Sequence, residues 1–330
     1  MKKNKIFLVS KIIIFLIIGI ILYLHINDAF MEKSTYGKYL NFKKMENVDV
    51  LVLGSSHSDN GIGAEDMEGK LAESLGCEVD VYNYSIYGMR IEQMYYVFKE
   101  LLKKQKPEVI VIETFSFVQT EPENREILAR RAFDYFPLSL NKLEAVRYCT
   151  DGNYKTYLVP IMKYHTRWKE LTINDIGYRY RDDLWGEYGR KYSTIKDKME
   201  TVDDYFKQDF AGITEQQKLG DRTEEKLQDI LALAKENNIK VLFLSIPFKE
   251  QLGVNSVENI RMNNYVYEHY VDGDSVQMLD LNKQMNEMKF DYKYLYNEGH
   301  CNKTGAKKVT KKLSAYIAEH YSEILGGKSR

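Results

Sequence analysis

Three cysteines, Cys77, Cys149 and Cys301, are all the sequence holds, and no CxxC pair or other metal-ligand spacing joins them. That argues against a zinc site of known pattern, and their odd number argues against a disulfide framework. Five prolines and 20 glycines are too few for a low-complexity chain. Neither sign of charge is in excess: 47 Lys and Arg stand against 48 Asp and Glu, a net charge of −1. Nothing therefore marks a nucleic-acid partner or attraction to an anionic membrane surface. No second long apolar run follows residue 26, which excludes a multi-spanning membrane protein. There is no internal repeat.

What is present begins at the N-terminus, "MKKNKIFLVSKIIIFLIIGIILYLHIND". Lys2, Lys3 and Lys5 precede an apolar stretch from Ile6 to Ile26, in which Lys11 is the one charge. About 20 residues at 1.5 Å each cross a hydrocarbon core of roughly 30 Å. The flanking lysines place the N-terminus in the cytoplasm and the rest outside, at the plasma membrane. A cleaved signal peptide is the rival reading. Its small-residue cleavage site is missing after the apolar run, which favours an uncleaved anchor over residues 1–27.

Residues 28–46 are polar and mixed and read as a juxtamembrane linker with one short helix. Apolar strand-like runs then alternate with helical patterns. Strands are expected at 48–54, 77–85, 107–113, 239–247 and, edge-like, 275–282. Helices are expected at 63–76, 89–106, 222–238, 256–271 and 304–325, the last capped by Thr304. This alternation implies a parallel sheet with helices on both faces. Residues 120–215 break the rhythm. They are rich in Tyr, Arg, Asp and Trp and read as a helical insertion in an α/β domain spanning 47–330. Trp168 and Trp185, with Tyr178, Tyr180, Tyr188 and Tyr192, are core candidates for that insertion or platforms for sugar rings.

The first strand ends "VLVLGSSHSDNG", with Ser55, Ser56, His57 and Ser58 crowded after Gly54. In parallel sheets, ligands bind at the carboxyl ends of strands, where this loop lies. A strand–glycine–helix turn exposes a serine and backbone N–H groups. It can equally hold an anion at the helix N-terminus, or simply cap the helix. From this motif alone, the three readings stand side by side. A nucleophilic Ser56 needs a base, and adjacent His57 is poorly placed because neighbouring side chains diverge. His25 lies at the membrane edge, His165 in the insertion, and His269 and His320 inside helical patterns. His300 lies in "YLYNEGHCNKTGAKKV", a polar loop leading into the terminal helix, from where it can reach the first loop.

Gly54-x-Ser56 after the first strand, "NYSIYG" after the second and "NEGHCNKTGA" before the final helix together resemble the SGNH/GDSL hydrolase family. The resemblance covers roughly residues 47–115 and 222–325. It implies a three-layer α/β/α flavodoxin-like fold and acyl transfer or hydrolysis without metal or cofactor. It carries the nucleophile onto Ser56, an oxyanion-hole glycine onto Gly88, and the last block onto Asn297, His300, Asn302 and Gly305. The family's aspartate is here Asn297, so Asn297 or Glu298 orients His300. Ser55 replaces the aspartate before the serine. The third-block asparagine is missing, since the third strand ends with Glu113 and Thr114. Ser55, His57 and Glu298 are candidates to line the site.

The "GSS" variant with an N-terminal span is similar to envelope members of the family. Those include the D-alanine transfer protein of teichoic acids and exopolysaccharide acetyltransferases, which work beside a membrane-bound O-acyltransferase. The resemblance thus implies a membrane-tethered serine esterase or O-acyltransferase. Its implied partners are an acylated cell-envelope polymer and such an acyltransferase. Asn297 and the missing asparagine motivate a second reading. This is a catalytically weak or inactive SGNH-fold protein that binds envelope polymer or the same membrane partner.

Overall fold

Four consecutive apolar residues with no polar alternation, Val50–Leu53, suit a strand buried on both faces. The structure, a computed structural model, makes them β1 and describes residues 2–32, 36–119, 125–150, 152, 154–158, 195–200 and 203–327. β2 (Val81–Asn83), β3 (Val109–Glu113), β4 (Lys240–Ser245) and β7 (Val276–Asp280) complete a five-stranded sheet of order β2-β1-β3-β4-β7. All four pairings are parallel. Two short antiparallel pairs lie outside it: β5 (Glu250–Gln251) with β6 (Val254–Asn255), and β8 (Leu295–Asn297) with β9 (His300–Cys301).

Alternate strand residues face opposite sides, so the sheet feeds two cores. Leu51, Leu53, Ile110, Ile112, Val241 and Phe243 point to one, with α5 (Ile91–Leu101) and the later helix Asp221–Glu236. Val50, Val52, Val109, Val111, Leu242 and Leu244 point to the other, with α4 (Ala64–Leu75) and the terminal helix Lys303–His320. Each fully buried side chain of this size is worth about 1.5–3 kcal/mol. Helix Ser256–Tyr270 starts from a capping box between Asn255 and Glu258 and packs near the carboxyl ends of β3 and β7.

The terminal helix is capped by Asn302, not Thr304: Asn302 Oδ1 accepts from the N–H groups of Thr304 and Gly305, both at 3.0 Å. It ends at His320, before a short helix at Ser322–Gly326. Where residues 120–215 are described, they form α6 (Arg125–Phe133), α7 (Leu140–Cys149), α8 (Lys155–Leu158) and a 3₁₀ turn at Tyr205–Lys207. Phe133, Tyr135, Ala145 and Val146 join the first core.

The N-terminal helix α1 (Lys2–Glu32) contains a 20-residue segment, Phe7–Ile26, of mean hydropathy 2.8. It is long and apolar enough to cross a membrane, and none of that segment is buried among the described residues.

The short helix expected in the segment 28–46 is present. α1 runs on to Glu32, and α2 (Tyr36–Lys44) docks on the domain. Phe42 is fully buried against Tyr82 and Tyr84. Lys38 is fully buried too, and its Nζ donates to Asp59 Oδ1 at 2.5 Å and to the Ser85 carbonyl at 2.6 Å.

Candidate active site

Gly54 allows the turn after β1. A Cβ there would lie 2.2 Å from Ser58 Oγ and 2.5 Å from Glu113 Cβ, so no side chain fits. The chain then enters the short helix α3 (Ser56–Gly61). Ser55 is its N-cap: the Oγ accepts from His57 N–H at 3.2 Å and donates to Glu113 Oε2 at 2.6 Å. Glu113, at the end of β3, also accepts from Ser55 N–H and Phe115 N–H. Burial pushes its carboxyl up from the usual range, and these three bonds oppose the shift. The turns after β1 and β3 are thereby tied to one carboxylate, which fixes where Ser56 begins.

The histidine arrives on a hairpin. Asn297 on β8 pairs with His300 on β9, with Glu298 and Gly299 between them. Asn302 anchors the hairpin's exit: its Nδ2 donates to the carbonyls of Lys293 (2.7 Å) and Asp197 (3.1 Å) while its Oδ1 caps the terminal helix.

These two ends meet. His300 Nε2 lies 2.8 Å from Ser56 Oγ across 244 positions of sequence, and His300 Nδ1 lies 2.9 Å from Asn297 Oδ1. Gly299 N–H donates to the same Asn297 atom at 3.0 Å, which identifies it as the amide oxygen. An oxygen there requires the proton on Nδ1, leaving Nε2 to accept from the serine hydroxyl. Glu298 is not the orienter. Its carboxylate pairs with Lys249 at 2.8 Å, and Lys249 also holds Asp203 at 2.9 Å.

Around this pair lies a cavity of about 700 Å³, bordered by Ser56, His300, Gly88, Tyr296, Leu128 and Leu252 among others. Gly88 sits at φ +78°, where a side chain is strained, and a Cβ would also strike Leu128 Cδ2 at 2.5 Å. The N–H groups of Ser56 and Gly88 have no acceptor among the described residues. Asn60 borders the cavity, but its Nδ2 donates to the Ser56 carbonyl at 2.7 Å. Ser56, Ser55, Gly88 and His300 thus face one cavity, with Asn297 behind the histidine.

No family model matches the chain, and no curated protein matches it either.

His57 is 1% exposed. Its ring stacks on Phe115 at 4.1 Å, meets Phe248 edge-on at 4.8 Å, and lies 5.3 Å from the His300 ring. Neither ring nitrogen has a hydrogen-bond partner among the described residues. Burial, then the nearby charges of His300 and Arg90, drive its pKa well below the ordinary value. It is therefore a neutral aromatic wall behind the His300 ring. The unfolded chain takes up a proton here near pH 6.5 while the folded chain does not, so the site loses stability as pH falls below that value. His57→Phe should remove that loss. Its unfolding free energy, compared with the parent's from pH 7 to pH 5, should fall less steeply, by about 1.4 kcal/mol per pH unit below pH 6.5. Parallel curves would show that His57 titrates normally.

His165 and the aromatic set Trp168, Tyr178, Tyr180, Trp185, Tyr188 and Tyr192 lie outside the described residues. His269 and His320 sit in helices, both exposed. Of the thiols, Cys149 and Cys301 are buried, and burial pushes Cys301 up to about 12. Three residues escaped the sequence reading: Glu113 as the clamp on both turns, Arg90 on the cavity, and Lys38 beneath the helix that begins with Ser56. Arg90 hid inside an amphipathic helix pattern. Lys38 lies four positions before Phe42, hence on one helical face with it, and that spacing is the one signal of docking.

Proposed function

We propose that this chain is a membrane-tethered, extracytoplasmic serine esterase or O-acyltransferase of the SGNH/GDSL kind, acting on acyl esters of a cell-envelope polymer. The observation that carries the reading is the hydrogen-bonded chain Ser56 Oγ–His300 Nε2 and His300 Nδ1–Asn297 Oδ1 at the carboxyl ends of a parallel sheet. The strand order, 2-1-3-4-5 when sheet strands are numbered along the chain, is that of flavodoxin-like folds and agrees with it. So does the site's position beside the β1/β3 switch point. The apolar helix α1 and its N-terminal lysines support a single span with a cytoplasmic N-terminus.

In this reading Ser56 Oγ attacks the acyl carbonyl carbon as its proton passes to His300 Nε2. The Ser56 and Gly88 N–H groups stabilise the oxyanion. Collapse expels the alcohol, which takes the proton back from His300 and leaves an acyl-serine. Water or a polymer hydroxyl then attacks that ester, giving its proton to His300; as the bond from the acyl carbon to Oγ breaks, His300 returns that proton to Ser56 Oγ and the serine is restored. A fluorophosphonate should form one covalent adduct on the full-length protein, at Ser56 by peptide mass. A folded protein with no adduct would remove the reading.

Asn297 holds the tautomer but stabilises the imidazolium less than a carboxylate does. Asn297→Asp should therefore raise kcat/KM on a simple ester by about tenfold or more, and Asn297→Ala should lower it. An unchanged rate in both would show that His300 needs no orienter. The same amide favours a second reading, a binding protein for envelope polymer or a membrane-bound O-acyltransferase. There, cellular function survives both Ser56→Ala and His300→Ala.

A further inference from the structure

Arg90 precedes α5 and borders the cavity that holds Ser56 and His300. It is 4% exposed. Its Nη1 donates to the Phe115 carbonyl at 3.2 Å, and the guanidinium lies over the Phe115 ring, 4.8 Å from the centroid. Nε has no hydrogen-bond partner, and no carboxylate forms an ion pair with the group, among the described residues. Two buried carboxylates act on it through space. Glu113 is held by Ser55 and Phe115, and Glu92 lies 3.6 Å from Arg222. Burial outweighs both and lowers the Arg90 pKa to about 10, which still leaves it cationic at neutral pH.

A buried charge without an ion-pair partner in contact is costly, so its presence calls for a reason. Proton transfer between Ser56 and His300 gives none. Nη1 is taken by the Phe115 carbonyl, and Nε is buried without a partner. A guanidinium is the side chain that holds a carboxylate or phosphate through paired hydrogen bonds. A second cation, Arg131, borders the same cavity nearer the solvent.

We propose that Arg90 is the anion subsite of this cavity, so that the ester it accepts carries a carboxylate or phosphate group. The proposal rests on the acyl-transfer reading for the word ester, not for the binding. It sets a preference: an aminoacyl group would bring an ammonium toward a guanidinium, whereas an acidic half-ester or a phosphate-bearing alcohol brings the complement. The apolar side chains of Leu128, Val254 and Ile127 leave the rest of the cavity to a hydrocarbon stem.

The test separates binding from chemistry. Full-length Ser56→Ala protein is titrated by calorimetry with glutarate, glycerol 3-phosphate, and their neutral counterparts glutaramide and glycerol. At least one anion should bind about tenfold or more tightly than its counterpart, and Arg90→Met should erase that margin. Arg90→Lys keeps the charge and loses the fork. It should weaken binding several-fold, and it serves if the Met variant does not fold. The tighter anion tells an acyl-borne carboxylate from an alcohol-borne phosphate. Equal affinity for anions and neutral molecules, or anion binding unaffected by both Arg90 variants, overturns the proposal. With Ser56 intact, Arg90→Lys should lower the ratio of 4-nitrophenyl glutarate to 4-nitrophenyl butyrate hydrolysis. An equal loss on both esters would make Arg90 an oxyanion donor and overturn the subsite. Anion binding without turnover of either ester would sink the acyl-transfer reading and leave the subsite standing.

Discussion

Ester turnover by Ser56→Ala is expected to fall by about 10³-fold or more, with the unfolding midpoint nearly unchanged. The two halves of that result have separate causes. Ser56 is small and half-buried, and its Oγ makes one hydrogen bond to His300. Losing that bond costs about 1 kcal/mol of stability. Losing the nucleophile forces water to attack directly, with the two backbone N–H groups and substrate binding as the remaining help. His300→Ala should cost a similar factor, and the double variant no more than the worse single, because the two side chains act as one device. The measurement is the initial rate on 4-nitrophenyl acetate beside fluorophosphonate labelling. A Ser56→Ala protein retaining more than a tenth of the parent rate would move the nucleophile elsewhere.

Lys38→Met should be the most destabilising single change outside the sheet, by about 3–5 kcal/mol. Lys38 and Asp59 are 0% and 1% exposed, so removing the ammonium takes the cation away from a buried carboxylate on the helix that begins with Ser56. The loss comes from that uncompensated negative charge more than from the pair's own strength. Adding Asp59→Asn should therefore recover most of it. Urea unfolding of parent, single and double variants reads this directly. If single and double unfold alike, the pair is solvated and the argument fails.

How much of this was legible depends on length scale. Val50–Leu53, Val109–Glu113 and Lys240–Ser245 were plain in sequence because central parallel strands are apolar on both faces. Their ends were less plain. Residues 77–85 shrink to Val81–Asn83, because Cys77 to Asp80 lead into the strand without pairing as part of it. Ser56 and His300 were legible as residue types at the right elements. The hairpin that joins Asn297 to His300 was not, since β8 and β9 are three and two residues long and carry no period. Asn297 and Glu298 stood as alternatives beside His300, and sequence could not show that Lys249 pairs with Glu298. α2 looked like a linker because a lysine reads as solvated. Only its partner 21 positions away in the fold makes Lys38 a core residue.

The docking of α2 also fixes a distance. A free segment over 28–46 would let the domain wander up to roughly 65 Å from its exit point in the bilayer. Four residue steps separate Glu32 from Tyr36, which bounds their Cα–Cα distance at about 14 Å. Were α1 to span a membrane, as proposed, that short connection would hold the Ser56 cavity close to the membrane face. On the proposed reading, an acyl donor or acceptor has to come to the membrane face to be turned over.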